Sequence, residues 1–292
     1  MQDDDTARYA RHSRWSDPGR FTAHFDDLPA DPARLPEIVS GLILHPLFAS
    51  GLPPTAEPSL RTVVEIVEAV FARDPRSLDR GRERGKRALG TCRNYALLAC
   101  AILRQCRVPA RLRVGFADYF GPDFWEDHWV CEYHDGNDWR LLDAELTAEI
   151  CRRLGIAFNP ADVPRERFLT TGPAWQALRR GDYDPARFGV SFVGLAGLWF
   201  VAASLQRDLA ALAMEEMMPW DCWGPGREFR PDEPIPPDWL DRLDGLADAL
   251  ASAPAGYGDA RAIIAAHPWA APTSTVLSFP EGKPVEVSLD RW

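Results

Sequence analysis

The chain has 292 residues, 46% of them hydrophobic and 26% charged, with 11 Trp and 14 Phe, which suffices for a large buried core and excludes a disordered polymer. A formal net charge of −10 and a pI near 5.1 exclude a generally basic surface for nucleic acid or anionic membranes and leave room only for a local basic patch. The 26 prolines among so many aromatics imply long ordered loops.

Residues 1–33 are polar and turn-rich and read as an arm lying on the domain. Residues 35–48 and 60–71 read as helices, the second with Val64, Ile66, Val67, Val70 and Phe71 on one helical stripe. Residues 80–87 then bring five basic side chains into an acidic protein. Such a run ordinarily forms a solvated loop. Its sharper reading is that Lys86 and Arg87 hold an anionic part of a substrate.

Nine consecutive apolar residues, Tyr95 to Leu103, follow Gly90-Thr91-Cys92-Arg93-Asn94. A helix apolar on every face is buried on every face, so 91–106 reads as a central helix. Thr91 is placed to cap it. Cys92 then takes the first helical position, where free amides and the helix dipole favour a thiolate.

Pro109 ends that region, and Leu112, Val114 and Phe116 alternate as in a strand. After an aromatic and acidic loop at 117–126, two β-like runs, 127–133 and 139–143, flank a gap containing Asp135-Gly136, a hairpin signal. Further on, 174–180 reads as a short helix and 191–217 as a long apolar one. The six-proline loop 219–237 precedes helices over 239–251 and 259–266, and 275–279 with 285–289 reads as a last β pair. The uncharged stretch 188–206 approaches a membrane span in length, but its glycines and serines favour a buried helix.

The six cysteines show no CxxC spacing and the six histidines no HExxH or finger pattern, so no metal site is expected. The N-terminus lacks a basic stretch followed by an apolar one. Free thiols in the cytoplasm are the expectation, with Cys100 and Cys106 serving as packing.

A thiol nucleophile needs a base within hydrogen-bond reach and a third group to orient that base. His128 and Asp143, on the two runs of the hairpin, fit those roles. If Tyr133 pairs with Asp138 across the loop 134–137, His128 and Asp143 are direct cross-strand neighbours. If Tyr133 pairs with Trp139, Asp143 turns to the other face. The catalytic reading needs the first register or an equivalent bulge.

These residues resemble a known family. Gly90-x-Cys92-Arg93, Ala96-Leu97-Leu98, Leu103-Arg104, Val108-Pro109-Ala110-Arg111 and Val114-Gly115-Phe116 are similar to the cysteine helix and following strand of the transglutaminase-like superfamily. So are His128 with Glu132 four residues on, and Trp139 with Asp143 four residues on. The resemblance covers about residues 60–147. It implies an α+β, papain-like fold, with a central cysteine-bearing helix on an antiparallel sheet and a mostly helical C-terminal extension. It also implies Cys92 as nucleophile, His128 as base and Asp143 as its partner. One departure is that Trp129 and Val130 follow the histidine, where the family often has a small residue and then Trp.

The expected organisation is an N-terminal arm and helix over 1–58, a catalytic core over 59–150 and a helical region over 151–292. The expected activity is cysteine-dependent acyl transfer to water or to an amine from a small-molecule, peptide or carrier-bound acyl donor. No cofactor, metal, nucleic acid or membrane is involved in this reading. Loop 117–126, with the C-terminal region, is expected to supply a lid, and Trp129 and the basic pair Lys86 and Arg87 to contact substrate. An acyl-CoA-dependent N-acyltransferase, like the arylamine N-acetyltransferases, and a non-catalytic binding module stay open as alternatives. The residues around Cys92 look less like the first, and the intact three residues argue against the second.

Overall fold

The computed structural model describes residues 6–49, 59–231, 233–252 and 256–292. Its helices are α1 (Leu35–Leu42), α2 (Val63–Arg73), α3 (Cys92–Gln105), α4 (Ala148–Leu154), α5 (Thr171–Arg180), α6 (Leu198–Leu212), α7 (Pro237–Ser252) and α8 (Tyr257–Ala266). Its strands are β1 (Ile43–Leu44), β2 (Ala88–Leu89), β3 (Ala110–Ala117), β4 (Trp125–His134), β5 (Trp139–Leu142), β6 (Phe168–Thr170), β7 (Phe188–Val190), β8 (Leu195–Ala196), β9 (Asp221–Cys222), β10 (Thr275–Ser278) and β11 (Val285–Ser288). The fold is α+β.

Most elements form where the apolar pattern and the caps direct them. Thr62 starts α2 through a capping box: its hydroxyl accepts from Glu65 N–H at 3.2 Å while the Glu65 carboxylate accepts from Thr62 N–H at 2.9 Å. Helix α1 stops at Leu42, short of the expected 48, because Ile43 and Leu44 turn extended and pair in parallel with Ala88 and Leu89. Helix α4, which has no strong apolar stripe, is set by Thr147 accepting from Ile150 N–H at 3.2 Å. The long helix expected over 191–217 is cut at both ends. Gly194 and Gly197 sit at φ +69° and +127°, which turns the chain into the hairpin β7–β8 before α6 begins. At the other end Met214 adopts φ +61°. Among the described residues no helix is long and apolar enough to cross a membrane.

The chain forms two compact units, and β3 and β4 each pass from one to the other. The first unit comprises Ala7–Leu112 and Val130–Val163, with Trp292. Its core is α3, buried from Cys92 through Arg104 and covered by Val39 and Leu42 of α1 and by Ile66 and Val70 of α2. The N-terminal arm is tied in where Ala110 N–H donates to Tyr9 O at 3.1 Å. The Arg111 guanidinium lies 3.9 Å from the Trp139 ring centroid and 5.3 Å from that of Tyr9, and its Nε donates to Glu132 at 2.8 Å. Antiparallel β4 and β5 complete this unit.

The second unit comprises Arg113–Trp129 and Pro164–Arg291. Helix α6 runs through its core, packed with Phe116, Trp175, Phe188, Leu243 and Leu246. The buried Asp208 of α6 takes both Arg113 Nε (3.0 Å) and Nη2 (2.9 Å), and it also accepts from Val114 N–H and the Thr171 hydroxyl. That one carboxylate joins α6, β3 and α5. The strand order is β6-β3-β4-β7-β8. Here β6 lies antiparallel to β3 at Thr170–Gly115, where a side chain on Gly115 would collide with Leu169 O and Phe168. Within this sheet β7 departs from the expected antiparallel arrangement and runs parallel to β4, at Phe188–Trp125. The C-terminal region is helical as expected, with an added three-stranded sheet in the order β11-β10-β9.

Candidate active site

Cys92 stands at the first position of α3, in no disulfide and only 8% exposed. Its helix terminus is held by the residues immediately after it. At the Thr91 cap, Asn94 Oδ1 accepts from Thr91 N–H at 3.0 Å and from the Thr91 hydroxyl at 3.1 Å. Asn94 Nδ2 and Arg93 Nη1 donate to Leu60 O at 2.8 and 3.3 Å. The Tyr95 hydroxyl donates to Ile43 O and accepts from His45 N–H, both at 3.1 Å. Burial drives the Tyr95 phenol far above its ordinary range, so it stays a neutral donor. Arg93, Asn94 and Tyr95 therefore fix the end of the helix that carries the thiol. Their signal in the sequence was weak, because the capping box is ordinarily read from Glu or Gln three residues after the cap.

Asp143 lies in the same unit, just past the end of β5, and is 1% exposed. Its N–H donates to Pro160 O at 2.9 Å and its Oδ1 accepts from Glu145 N–H at 3.0 Å, so the chain beyond the hairpin is turned around this carboxylate. The hairpin register is neither of the two expected. Tyr133 pairs with Arg140 and His134 with Trp139, leaving Asp135–Asp138 as the loop. The Asp135 side chain closes that loop by accepting from Asn137 N–H and Asp138 N–H, both at 2.8 Å, which holds its carboxyl far below the usual carboxylate range. The parity of the Tyr133–Asp138 register is kept, since even positions of β4 still oppose odd positions of β5. The ladder closes at Cys131–Leu142, short of both His128 and Asp143.

His128 sits on β4 within the other unit, 3% exposed. Its ring meets Phe120 edge-on at a centroid distance of 4.8 Å, with Tyr119 at 6.2 Å and Phe168 at 6.4 Å. Loop 117–126 thus supplies the aromatic wall of the histidine. Strand alternation sends Asp127 and Trp129 to the opposite face. Trp129 is 1% exposed with its indole N–H unpartnered. Asp127 is half-buried as a residue, yet its Oδ1 is enclosed and without a hydrogen bond. Burial pushes its carboxyl up to about 6, against the opposing pull of Arg207 and His128.

Of the basic run, Arg82 departs from both expectations. It is 2% exposed, and its guanidinium donates to the carbonyls of Asp74, Arg76, Ser77 and Arg80, so the loop is folded around it. Arg87 Nε donates back to Arg82 O at 2.9 Å, while Lys86 is exposed. Cys100 packs against Cys131, Sγ to Sγ 3.2 Å, and burial pushes the Cys131 thiol up. Cys106, expected in the packing, is exposed because it lies past the end of α3. Trp223 is a packing residue, donating to Ala270 O at 2.7 Å. Among the described residues no group of three or more His, Cys, Asp or Glu side chains could hold a metal ion. Cys92, Asp143, Lys86 and Arg87 belong to one unit, and His128 and Trp129 to the other.

Residues 72–144, which include Cys92, His128 and Asp143, match the family model of the transglutaminase-like superfamily. No curated protein matches the sequence. One solved structure, described as a candidate cysteine protease from Cytophaga hutchinsonii, aligns at 18% identity over 56% of this chain and 44% of its own, with a TM-score of 0.33. The chain spans less than half the length of that protein.

Proposed function

We propose that the protein is a cysteine-dependent acyl-transfer enzyme in which Cys92 is the nucleophile, His128 the general base and Asp143 the group that orients the imidazole. The observation that carries the proposal is the placement of Cys92: a cysteine outside any disulfide at the first turn of a buried helix, inside the span that matches the transglutaminase-like superfamily. Unsatisfied amides at a helix N-terminus stabilise a thiolate and can receive the oxyanion of an attacked carbonyl.

In this reading His128 takes the Cys92 proton and the thiolate adds to the carbonyl carbon of an amide, ester or thioester. The tetrahedral oxyanion collapses, the bond to the leaving group breaks, and imidazolium returns the proton to that group. His128 then deprotonates water or an amine, which attacks the thioester on Cys92 and frees the thiol. Water as acceptor makes the enzyme a hydrolase; an amine makes it an amide-forming transferase. The donor is a small-molecule, peptide or carrier-bound acyl compound. An acyl-CoA donor would need cations for its phosphates, and in the basic run Arg82 is already engaged by four backbone carbonyls.

Iodoacetamide labelling followed by peptide mass spectrometry tests the assignment. Cys106 is the exposed reference thiol. Cys92 is expected to label at lower pH than Cys106, and to lose this advantage in His128→Ala. Cys92 labelling that follows the Cys106 curve in the unaltered protein sinks the proposal.

A further inference from the structure

Two of the cysteines face each other inside the first unit. Cys100 lies on α3 and Cys131 on β4, both fully enclosed and outside any disulfide, with Sγ to Sγ 3.2 Å. Cys106 and Cys151 instead meet the backbone carbonyls of Leu28 at 3.8 Å and Leu146 at 3.9 Å, and Cys222 meets the Arg207 guanidinium at 3.7 Å. Neither member of the close pair is on a loop. Cys100 belongs to a helix buried from Cys92 through Arg104, and Cys131 is held in register with Leu142 of β5. Two ordered backbones therefore set the approach of the sulfurs.

A disulfide holds its sulfurs about 2.05 Å apart, so from 3.2 Å the pair has about 1.1 Å to close. The resulting bond would tie α3 to β4 across 31 positions of the chain, and a cross-link of that span stabilises mainly by restricting the unfolded chain. Burial pushes the Cys131 thiol up, against the pull of the Arg104 guanidinium, and the thiolate is the species that reacts. The pair therefore stays reduced through brief contact with an oxidant. It reacts when the oxidant is sustained and the unit opens locally.

We propose that Cys100 and Cys131 form a modification site separate from Cys92, a dithiol that hydrogen peroxide closes into a cross-link between α3 and β4. One thiol gives up its proton and its sulfur attacks a peroxide oxygen; the O–O bond breaks, water leaves with that proton, and a sulfenic acid remains. The second sulfur then attacks the sulfenic sulfur. The S–S bond forms, the S–O bond breaks, and the hydroxyl leaves as water with the second thiol's proton. The two thiols are oxidised, and the peroxide is reduced to water. A dithiol reductant reverses the step by exchange. The closed form staples the helix that carries Cys92 to the strand that continues from His128, and it stands whether or not Cys92 is a nucleophile.

The full chain is exposed to hydrogen peroxide, quenched in acid, blocked with N-ethylmaleimide and digested without reductant. Mass spectrometry is expected to find a peptide joining Cys100 to Cys131 as the main disulfide product, lost after dithiothreitol. Its absence under conditions that already oxidise the exposed Cys106 overturns the proposal. Hydrogen exchange of the α3 amides is expected to slow by about tenfold or more in the oxidised chain. Peroxide is expected to leave that exchange unchanged in Cys131→Ala, and in Cys100→Ala as the matching control on the helix. A linked peptide with α3 exchange no slower overturns the staple. Slowing that persists in both variants assigns it to oxidation elsewhere and overturns the staple as well.

Discussion

Asp127 shows how a residue beside a candidate base carries a cost that the sequence does not announce. Its carboxyl is raised to about 6 by burial and by Glu126 beside it, while Arg207 and His128 pull the other way. The folded chain therefore holds this proton more tightly than the unfolded chain, whose carboxyl titrates at the ordinary 3.8. Stability contributed by the protonated form is present below about pH 4 and is lost as pH rises through about 6. Asp127→Asn, which carries no charge at any pH, is expected to raise stability by about 1–3 kcal/mol at pH 7.5 and by little at pH 4. Urea denaturation at the two pH values measures this, and an equal effect at both refutes it. At the same scale, Cys92, His128 and Asp143 were legible as candidates, from their order and spacing alone. The buried roles of Arg82, Asn94 and Asp127 were not, because a charged or amide side chain in a local sequence looks alike whether it meets solvent or backbone carbonyls.

Elements followed their apolar patterns closely where burial decides the structure and departed where a turn does. Helix α3 was readable from nine apolar residues because nothing but a buried helix accommodates them. The start of α6 was not, because hydropathy cannot separate Phe192 and Val193 on a hairpin tip from the same residues on a helix; the backbone of Gly194 and Gly197 separates them. The β4–β5 register slipped for a similar reason, with Asp135 gathering its own loop amides and moving the turn one residue along. In the second unit one buried ion pair links α6 to β3 beside the apolar core. Asp208→Ala leaves the Arg113 guanidinium, 4% exposed, without its bidentate partner. Removing one member of such a pair is expected to cost about 3–5 kcal/mol. The double change Arg113→Met/Asp208→Leu is expected to recover most of that loss. Urea titration of the three proteins decides it, and a loss below about 1 kcal/mol for Asp208→Ala means that water replaces the carboxylate.

At the scale of the whole molecule, the segment that carries the family match coincides with neither compact unit. Residues 72–144 take in all of β3 and β4, yet those strands divide, Ala110–Leu112 and Val130–His134 with one unit, Arg113–Ala117 and Trp125–Trp129 with the other. A fragment spanning 60–147 keeps Cys92, His128 and Asp143 but cuts β3 and β4 from α6. Arg113 loses Asp208, Phe116 loses Phe188 and Phe200, and His128 loses Phe168. It also leaves Trp125 without the Phe188 ring on which it stacks. A buried guanidinium stripped of its partner costs several kcal/mol by itself, against a typical domain stability of about 5–15 kcal/mol. The 60–147 fragment is therefore expected to show no cooperative thermal transition by circular dichroism and a collapsed amide dispersion by NMR, while the full chain melts cooperatively. A fragment that melts cooperatively would establish that the matched segment carries its own core and that the strands, not α6, hold it together.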